Sequence, residues 1–226
     1  MSTLQATHSQ ATLAVDPGYL YNAAGEAGAL ATLILAHGAG APMDSDFMNA
    51  MAERLATLGI AVLRFEFPYM AQRRLDGGKR PPNPQARLLE RWREVYEGVR
   101  REVRGPLLIG GKSMGGRMAS LLADELGAQG LVCLGYPFYA AGKPEKPRVA
   151  HLAEIATPTL IVQGERDALG NRQTVSGYTL SPQVRVSWLV AADHDLKPLK
   201  ASGFSHAQHL DTAARQIHDF IQRQMV

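Results

Sequence analysis

The residues with the clearest chemical potential form the run Gly111-Lys112-Ser113-Met114-Gly115. It follows the apolar segment 106–109 and leads into a helical pattern. A serine at the tip of a tight strand-to-helix turn stands clear of the sheet, and the backbone around it passes close to its neighbours. Glycine is therefore favoured two residues before and two residues after the serine, where Gly111 and Gly115 stand. The spacing predicts a nucleophile elbow in which Ser113 attacks an acyl carbonyl carbon.

Two downstream turns supply a candidate acid and a candidate base for this serine. The apolar segment that starts at Thr159 predicts a buried strand, and the turn after it presents Asp167. The segment 184–190 predicts another strand, which is followed by His194. All three side chains thus come just beyond the carboxyl end of a strand, where an open parallel sheet forms its ligand crevice. We predict Ser113, Asp167 and His194 as a catalytic triad in which the histidine is the base.

Other carboxylates lie near the predicted acid. Glu165 and Glu154 are the alternatives to Asp167. Asp193 and Asp195 flank the histidine directly, and neighbours in sequence do not usually orient a ring from behind. We expect these two residues to shape the loop or to face solvent.

The other histidines are weaker candidates. His37 is the main alternative to His194, but its position before a glycine after a strand favours a role in shaping the loop. His206 and His209 have a helical i,i+3 spacing that could ligate a metal ion. Further ligands at matching positions are missing from the sequence, so no metal site is predicted.

The run Gly111-Lys112-Ser113 also resembles the end of a phosphate-binding loop. Such a loop needs exposed backbone in the residues before its lysine. Here those positions carry the apolar strand 106–109, so this interpretation is rejected.

A tetrahedral intermediate needs two preorganised N–H donors for its oxyanion. The first is predicted to be the backbone N–H of Met114, directly after the nucleophile. The second comes from the loop after the strand 32–36 and is best assigned to Ala39. Gly38 and Gly40 on either side let that loop turn its amide inward.

Alternating strand and helix patterns predict an α/β fold with a mostly parallel, twisted sheet and helices on both faces. The predicted strands are a weak one near 11–15 and then 32–36, 60–67, 106–109, 130–136, the strand from Thr159 and 184–190. The predicted helices are 47–58, 85–104, the helix that follows the elbow as far as Leu126, and 206–224. Asp44, Ser45 or Asp46 could cap the first of them. The segment 69–84 is predicted as a loop without regular structure.

Several segments carry a resemblance to a known family. They are 33–40 for the oxyanion strand and loop, the elbow at Ser113, 164–167 for the acid turn, 194–198 for the histidine loop, and 65–69. On these residues the chain resembles the α/β-hydrolase superfamily, and within it the small lidless serine hydrolases of the dienelactone-hydrolase-like group. The resemblance covers nearly the whole chain. Dienelactone hydrolase carries cysteine at the position of Ser113, so its substrate is not implied.

The resemblance implies a cofactor-independent serine hydrolase of small ester or thioester substrates that works through an acyl-enzyme. The connection 137–157 leaves little room for a lid, since three prolines precede a short helical piece at 149–155. Two alternatives stay open: an acyltransferase with the same triad, and a non-catalytic scaffold protein, because some relatives use the fold without catalysis.

Charge gives the only indication of substrate type. The stretch 72–104 carries ten Lys or Arg and five Asp or Glu, whereas the whole chain has a net charge of only +3. The loop after the strand 60–67 can overhang the nucleophile. Arg73, Arg74 and Tyr69 on this loop are therefore candidate substrate-binding residues, and the basic loop 72–80 could attract an anionic ester.

Composition is that of an ordinary soluble protein, with 46% hydrophobic and 20% charged residues in a chain of 226. This length suits one α/β domain, expected to span 1–226. The only cysteine, Cys133, lies in an apolar strand pattern. No signal peptide or membrane segment is recognised, so a cytoplasmic location is expected. The mild basic excess lacks the interleaved aromatics of a nucleic-acid-binding protein, and the oligomeric state is not predicted.

Overall fold

A seven-stranded sheet forms the centre of the molecule. The computed structural model describes residues 18–25 and 28–224. The strands are β1 (Tyr19–Asn22), β2 (Ala31–Ala36), β3 (Ile60–Phe65), β4 (Leu107–Lys112), β5 (Leu131–Leu134), β6 (Thr159–Gly164) and β7 (Val184–Leu189). Their spatial order is β1-β3-β2-β4-β5-β6-β7, and only β1 runs antiparallel to its neighbour. The predicted mostly parallel sheet is confirmed.

Helices cover both faces of this sheet, as predicted. They are α1 (Asp46–Thr57), α2 (Pro68–Asp76), α3 (Gln85–Glu102), α4 (Met114–Ser120), α5 (Arg172–Val175) and α6 (His206–Gln224). Apolar residues of α1 and α6 share one buried cluster with one face of the strands, and those of α2, α3 and α4 share the other. Within β2, Leu33 and Leu35 belong to the first cluster and Ile34 and Ala36 to the second. The strands of the sheet centre are buried on two faces and are mostly apolar, with Arg64 in β3, Lys112 in β4 and Gln163 in β6 as buried polar exceptions.

The long helices follow their apolar periodicity. In α3, Leu88, Trp92, Val95 and Val99 are buried, four positions or three apart. The buried residues of α6 follow the same spacing. The first and last residues of this helix agree with the prediction. Ser45 holds the N-cap position of α1, but its side chain makes no capping hydrogen bond.

Three elements differ from the prediction. β1 is a four-residue edge strand, too short to show a periodicity, while the weak strand expected at 11–15 lies outside the described residues. The segment predicted as a loop contains most of α2, which has Pro68 in its first turn and is followed by Gly77 with φ +70°. The helix after the elbow is shorter than predicted, because α4 ends at Ser120 and residues 121–127 form turns.

The strand order places a crevice at a defined point. From β2 the chain continues to β3 on one side, whereas β4 lies on the other side of β2. Open α/β sheets bind ligands beyond the carboxyl ends of the strands at such a switch point. The connection 137–157 contains one short 3-10 helix, Ala150–Ala153, and forms no lid. No helix within 18–25 and 28–224 combines the length and the apolar character needed to cross a bilayer.

Candidate active site

The elbow stands at the junction of β4 and α4. Ser113 has φ +52° and ψ −116°, a backbone conformation that side-chain-bearing residues rarely adopt. A Cβ atom on Gly111 would lie 2.7 Å from the carbonyl oxygen of Ala36, and one on Gly115 would lie 2.6 Å from that of His37. The two glycines are thus required because the turn packs directly against the end of β2.

This strained turn predicts a difference in stability between two variants that both lack the hydroxyl. The free energy of unfolding of Ser113→Gly is expected to be about 1 kcal/mol higher than that of Ser113→Ala, because only glycine adopts the positive φ without strain. Chemical denaturation of the two variants measures the difference. Equal stabilities, or a more stable alanine variant, would show that the turn is not strained.

A continuous hydrogen-bonded chain joins the three side chains predicted from sequence. His194 Nε2 lies 2.8 Å from Ser113 Oγ, and His194 Nδ1 lies 2.7 Å from Asp167 Oδ2. Asp167 is fully buried. Its Oδ2 also accepts a hydrogen bond from Gln163 Nε2 at 2.8 Å, and its Oδ1 accepts one from the N–H of Leu169 at 2.7 Å.

These contacts indicate which nitrogen of His194 carries the hydrogen. Both oxygens of Asp167 accept hydrogen bonds, as an ionised carboxylate does. The hydrogen of the neutral imidazole therefore sits on Nδ1 of His194, and Nε2 is left to accept the hydroxyl proton of Ser113. A histidine in this tautomer can remove a proton from the serine.

The alternative acids are placed elsewhere. Glu165 Oε2 accepts the N–H of Ala191 at 3.0 Å, and its Oε1 pairs with Arg172 at 2.8 Å. Glu154 is exposed beside the short 3-10 helix. Neither carboxylate is among the hydrogen-bond partners of His194 in the described part of the chain.

The loop after β2 is held so that the N–H of Ala39 points away from the side chain of His37. The N–H of Phe67 donates to His37 Nε2 at 3.2 Å, so Nδ1 carries the hydrogen and donates to the carbonyl of Gly38 at 2.7 Å. Burial lowers the pKa of His37, which keeps it neutral. In a trans peptide the N–H points opposite to the carbonyl. Fixing the Gly38 carbonyl against His37 therefore turns the N–H of Ala39 the other way.

Tyr69 supports the same loop from behind. Its buried hydroxyl donates to the carbonyl of Ala39 at 2.8 Å. Met114 is the first residue of α4, so its N–H has no carbonyl partner within the helix. Among the described residues, neither the N–H of Ala39 nor that of Met114 donates to a backbone carbonyl or a side chain.

A cavity of about 370 Å³ opens beside the serine. Its lining consists of Gly38, Ala39, Gly40, Ala41, Ser45, Phe47, Met48, Lys112, Ser113, His194 and Asp195. Small and apolar side chains make up most of this wall. Among the described residues that line it, a lysine and an aspartate carry opposite charges, and these two, Lys112 and Asp195, pair with each other at 3.2 Å.

The residues proposed to attract an anion do not line this cavity. Arg74 pairs with Glu66 at 2.6 Å and with Asp44 at 2.8 Å, so its charge is balanced and it ties α2 to the loop before α1. Arg73 is partly exposed on the same helix. Tyr69 and Arg74 thus brace the loop after β2, and the side chains of α2 do not line the cavity beside the serine. A role of Arg73, Arg74 and Tyr69 in binding substrate stays a prediction.

The two histidines considered as metal ligands have structural contacts. His206 Nε2 lies 2.9 Å from the carbonyl of Asp195, and His209 Nδ1 lies 3.2 Å from that of Leu196. In the described ranges no group of three or more potential metal ligands is found. Asp193 accepts the N–H groups of Asp195 and Lys197, which is the loop-shaping role expected of it.

A second serine–histidine contact lies behind the elbow and lacks the same chemistry. Ser120 Oγ and His151 Nε2 are 2.8 Å apart, but the hydroxyl of Ser120 donates to the carbonyl of Arg117. His151 Nε2 must therefore be the donor, and it cannot act as a base toward this serine. Burial lowers the pKa of His151 to about 4, so it is neutral near pH 7.

Two residues of the site were missed from sequence. Gln163 is a fully buried amide in the otherwise apolar strand β6, and that polar interruption is a signal that could have found it. Lys112 fits a phosphate-loop pattern in the sequence, and a lysine next to the nucleophile in a buried strand is also a signal of a special role.

Comparisons with known proteins agree with this architecture. A family model described as an alpha/beta hydrolase domain matches residues 29–222. A search of curated proteins finds no match. Among solved structures, a serine hydrolase without a lid from Xanthomonas campestris is 20% identical, with a TM-score of 0.62 over 88% of each chain.

Two further solved structures are similar. Dienelactone hydrolase from Anabaena variabilis is 20% identical, with a TM-score of 0.66 over 90% of this chain and 95% of its own. Est1E from Butyrivibrio proteoclasticus, with ferulic acid bound, is 15% identical, with a TM-score of 0.68 over 92% of this chain and 94% of its own. At these identities the likeness shows a shared fold.

Proposed function

The chain belongs to the alpha/beta hydrolase family, and from this premise we propose that it is a serine hydrolase of small ester or thioester substrates. The observation that carries the proposal is the hydrogen-bonded chain from Ser113 through His194 to the buried carboxylate of Asp167. A serine without such a base is a poor nucleophile at neutral pH.

In the proposed reaction, Ser113 Oγ attacks the substrate carbonyl carbon while its proton moves to His194 Nε2. Asp167 accepts a hydrogen bond from Nδ1–H throughout and stabilises the imidazolium that forms. The N–H groups of Ala39 and Met114 stabilise the oxyanion. Nε2 then returns the proton to the leaving alcohol or thiol, which leaves an acyl-enzyme on Ser113. Water repeats the same steps and releases the acid.

The substrate is proposed to be small and without a required negative charge. The cavity of about 370 Å³ corresponds to a pocket for a small molecule. Lys112 and Asp195 balance each other within it, and Arg74 is paired elsewhere. Ferulic acid in Est1E is a small carboxylic acid bound to a protein of the same fold. It supports an ester of a small acid as the substrate class.

Labelling with a fluorophosphonate probe tests this function. The wild-type protein is expected to form one stoichiometric adduct, and peptide mapping is expected to locate it on Ser113. Such a probe reacts with serines that a base has activated, so Ser113→Ala should not be labelled. Ser120→Ala is the matched control because it removes the other serine that contacts a histidine.

The control should label as wild type does. An unlabelled wild-type protein would favour a non-catalytic scaffold, and a label that persists in Ser113→Ala would place the nucleophile elsewhere. Labelling at Ser113 without ester hydrolysis would instead indicate transfer of the acyl group to an acceptor other than water.

A further inference from the structure

Lys112 crosses from the elbow to the loop that carries the base. Its Nζ donates to the carbonyl oxygen of His194 at 2.9 Å and pairs with Asp195 Oδ1 at 3.2 Å. These partners lie more than 80 residues away in sequence. Only 9% of the lysine side chain is exposed, whereas 71% of the Asp195 side chain is exposed.

The surroundings leave a defined space for this ammonium group. A Cβ atom on Gly135 would lie 2.6 Å from the carbonyl oxygen of His194 and 3.3 Å from Lys112 Nζ. Gly135 has φ +64°, so glycine is favoured there both by the backbone and by the approaching groups. On the other side, Nζ lies 5.6 Å from the ring centroid of Phe47, a favourable distance for a cation on an aromatic face.

Other contacts join this loop to α6 and not to the elbow: His206 bonds to the carbonyl of Asp195, and His209 to that of Leu196. Asp193 bonds to the N–H groups of Asp195 and Lys197, which shapes the loop internally but does not join it to the elbow. Lys112 stands next to the nucleophile, and its side chain links the elbow to the backbone of His194. A buried ammonium is costly unless it is paired and hydrogen-bonded, so these contacts stabilise one position of the loop.

Resting on the proposed function, we propose that Lys112 is a positioning residue that holds the loop of His194 against Ser113. Its ammonium group binds the His194 carbonyl and the Asp195 carboxylate, and thereby keeps the imidazole between the nucleophile and Asp167. Only the protonated lysine carries the charge that binds Asp195. The active form of the site therefore requires Lys112 to be charged.

The groups around Lys112 determine how its charge responds to pH. Burial lowers the pKa of Lys112, and the carboxylates of Asp195, Asp167 and Asp193 raise it in part. The Phe47 ring faces it from α1 and carries no titrating group. Lys112 is therefore expected to lose its proton at a pH below the ordinary lysine pKa of about 10.4. Burial raises the pKa of Tyr69, so that hydroxyl does not titrate in the same range.

Steady-state hydrolysis of p-nitrophenyl acetate between neutral and alkaline pH tests the proposal. Lys112→Met is expected to lower kcat roughly 10²-fold with little change in KM, because a misplaced base affects the transition state more than substrate binding. The wild-type rate should fall in an alkaline limb as Lys112 loses its proton, and this limb should be missing from Lys112→Met. Lys197→Met is the matched control, since Lys197 is exposed on the same loop.

Asp195→Asn is the second variant and keeps the test decisive if Lys112→Met folds poorly. Removing this carboxylate takes away a charge that raises the pKa of Lys112, so the alkaline limb should move to lower pH. An alkaline limb that persists in Lys112→Met, or one that does not move in Asp195→Asn, overturns the proposal.

Hydrogen exchange separates this inference from the proposed function. In Lys112→Met, the amides of residues 194–197 are expected to exchange faster than in wild type and in Lys197→Met. Unchanged exchange would overturn the positioning role whatever the activity. Faster exchange in a protein that no fluorophosphonate labels would instead support the positioning contact and contradict the hydrolase function.

Discussion

Replacing His194 with glutamine is expected to lower kcat for ester hydrolysis roughly 10⁶-fold. The imidazole is the only group within hydrogen-bond distance of Ser113 Oγ that can take its proton, among the described residues. Glutamine keeps a polar side chain of similar length but cannot act as a base near neutral pH. The rate of p-nitrophenyl acetate hydrolysis, corrected for spontaneous hydrolysis, measures the effect.

A double variant makes this prediction sharper. When two residues act as one unit, removing the second costs no further activity once the first is gone. The double variant Ser113→Ala/His194→Gln should therefore be no slower than Ser113→Ala alone. His218→Gln is the matched control, because His218 lies on α6 and contacts Asp219. Additive losses in the double variant, or a His194→Gln variant that keeps most of its activity, would contradict the proposed role of the imidazole.

The core of the site could be predicted because each side chain follows a strand with a strong apolar pattern. Parallel strands bring their carboxyl ends to one edge of the sheet, so Ser113, Asp167 and His194 were expected to meet although they are distant in sequence. The elbow glycines added a local steric signal. Their requirement is explained by contacts of 2.6 to 2.7 Å with the end of β2.

The bracing of the oxyanion loop could not be predicted in the same way. The helix that braces it, α2, is rich in arginine and glycine follows it, a composition that predicts an irregular basic loop. The helix is held by Arg74, which pairs with Glu66 and Asp44, and the second of these lies 30 residues away. Such ion pairs depend on the folded positions of separate segments, so no pattern within 69–84 predicts them.

The contacts of Lys112 could not be predicted from the sequence either. Its sequence position beside Ser113 is plain, but its partners on the histidine loop lie beyond three intervening strands in sequence. Side-chain contacts between loops at the rim of a sheet depend on how each loop turns. The strands therefore predicted where the site lies, while the groups that hold its loops were found only in the structure.

Asp167→Asn is expected to lower kcat roughly 10⁴-fold while leaving the nucleophile and the base in place. Each oxygen of Asp167 accepts hydrogen bonds: Oδ2 from His194 and Gln163, and Oδ1 from the N–H of Leu169. An asparagine must direct its NH₂ group at one of these donors. If the NH₂ group faces His194, it favours the tautomer with hydrogen on Nε2, which cannot accept the serine proton.

The opposite orientation of the asparagine has a different cost. Its NH₂ group then faces the N–H of Leu169, and two buried donors are left opposed. Such a loss is worth about 1–3 kcal/mol of stability. The first orientation opposes two donors as well, since it sets the NH₂ group against Gln163 Nε2. Chemical denaturation should therefore show a destabilised variant in either case. Glu165→Gln is the comparison, because Glu165 bonds to Ala191 and Arg172 and should leave kcat nearly unchanged. If Asp167→Asn instead kept its rate within about tenfold of wild type, another group would have to orient the imidazole.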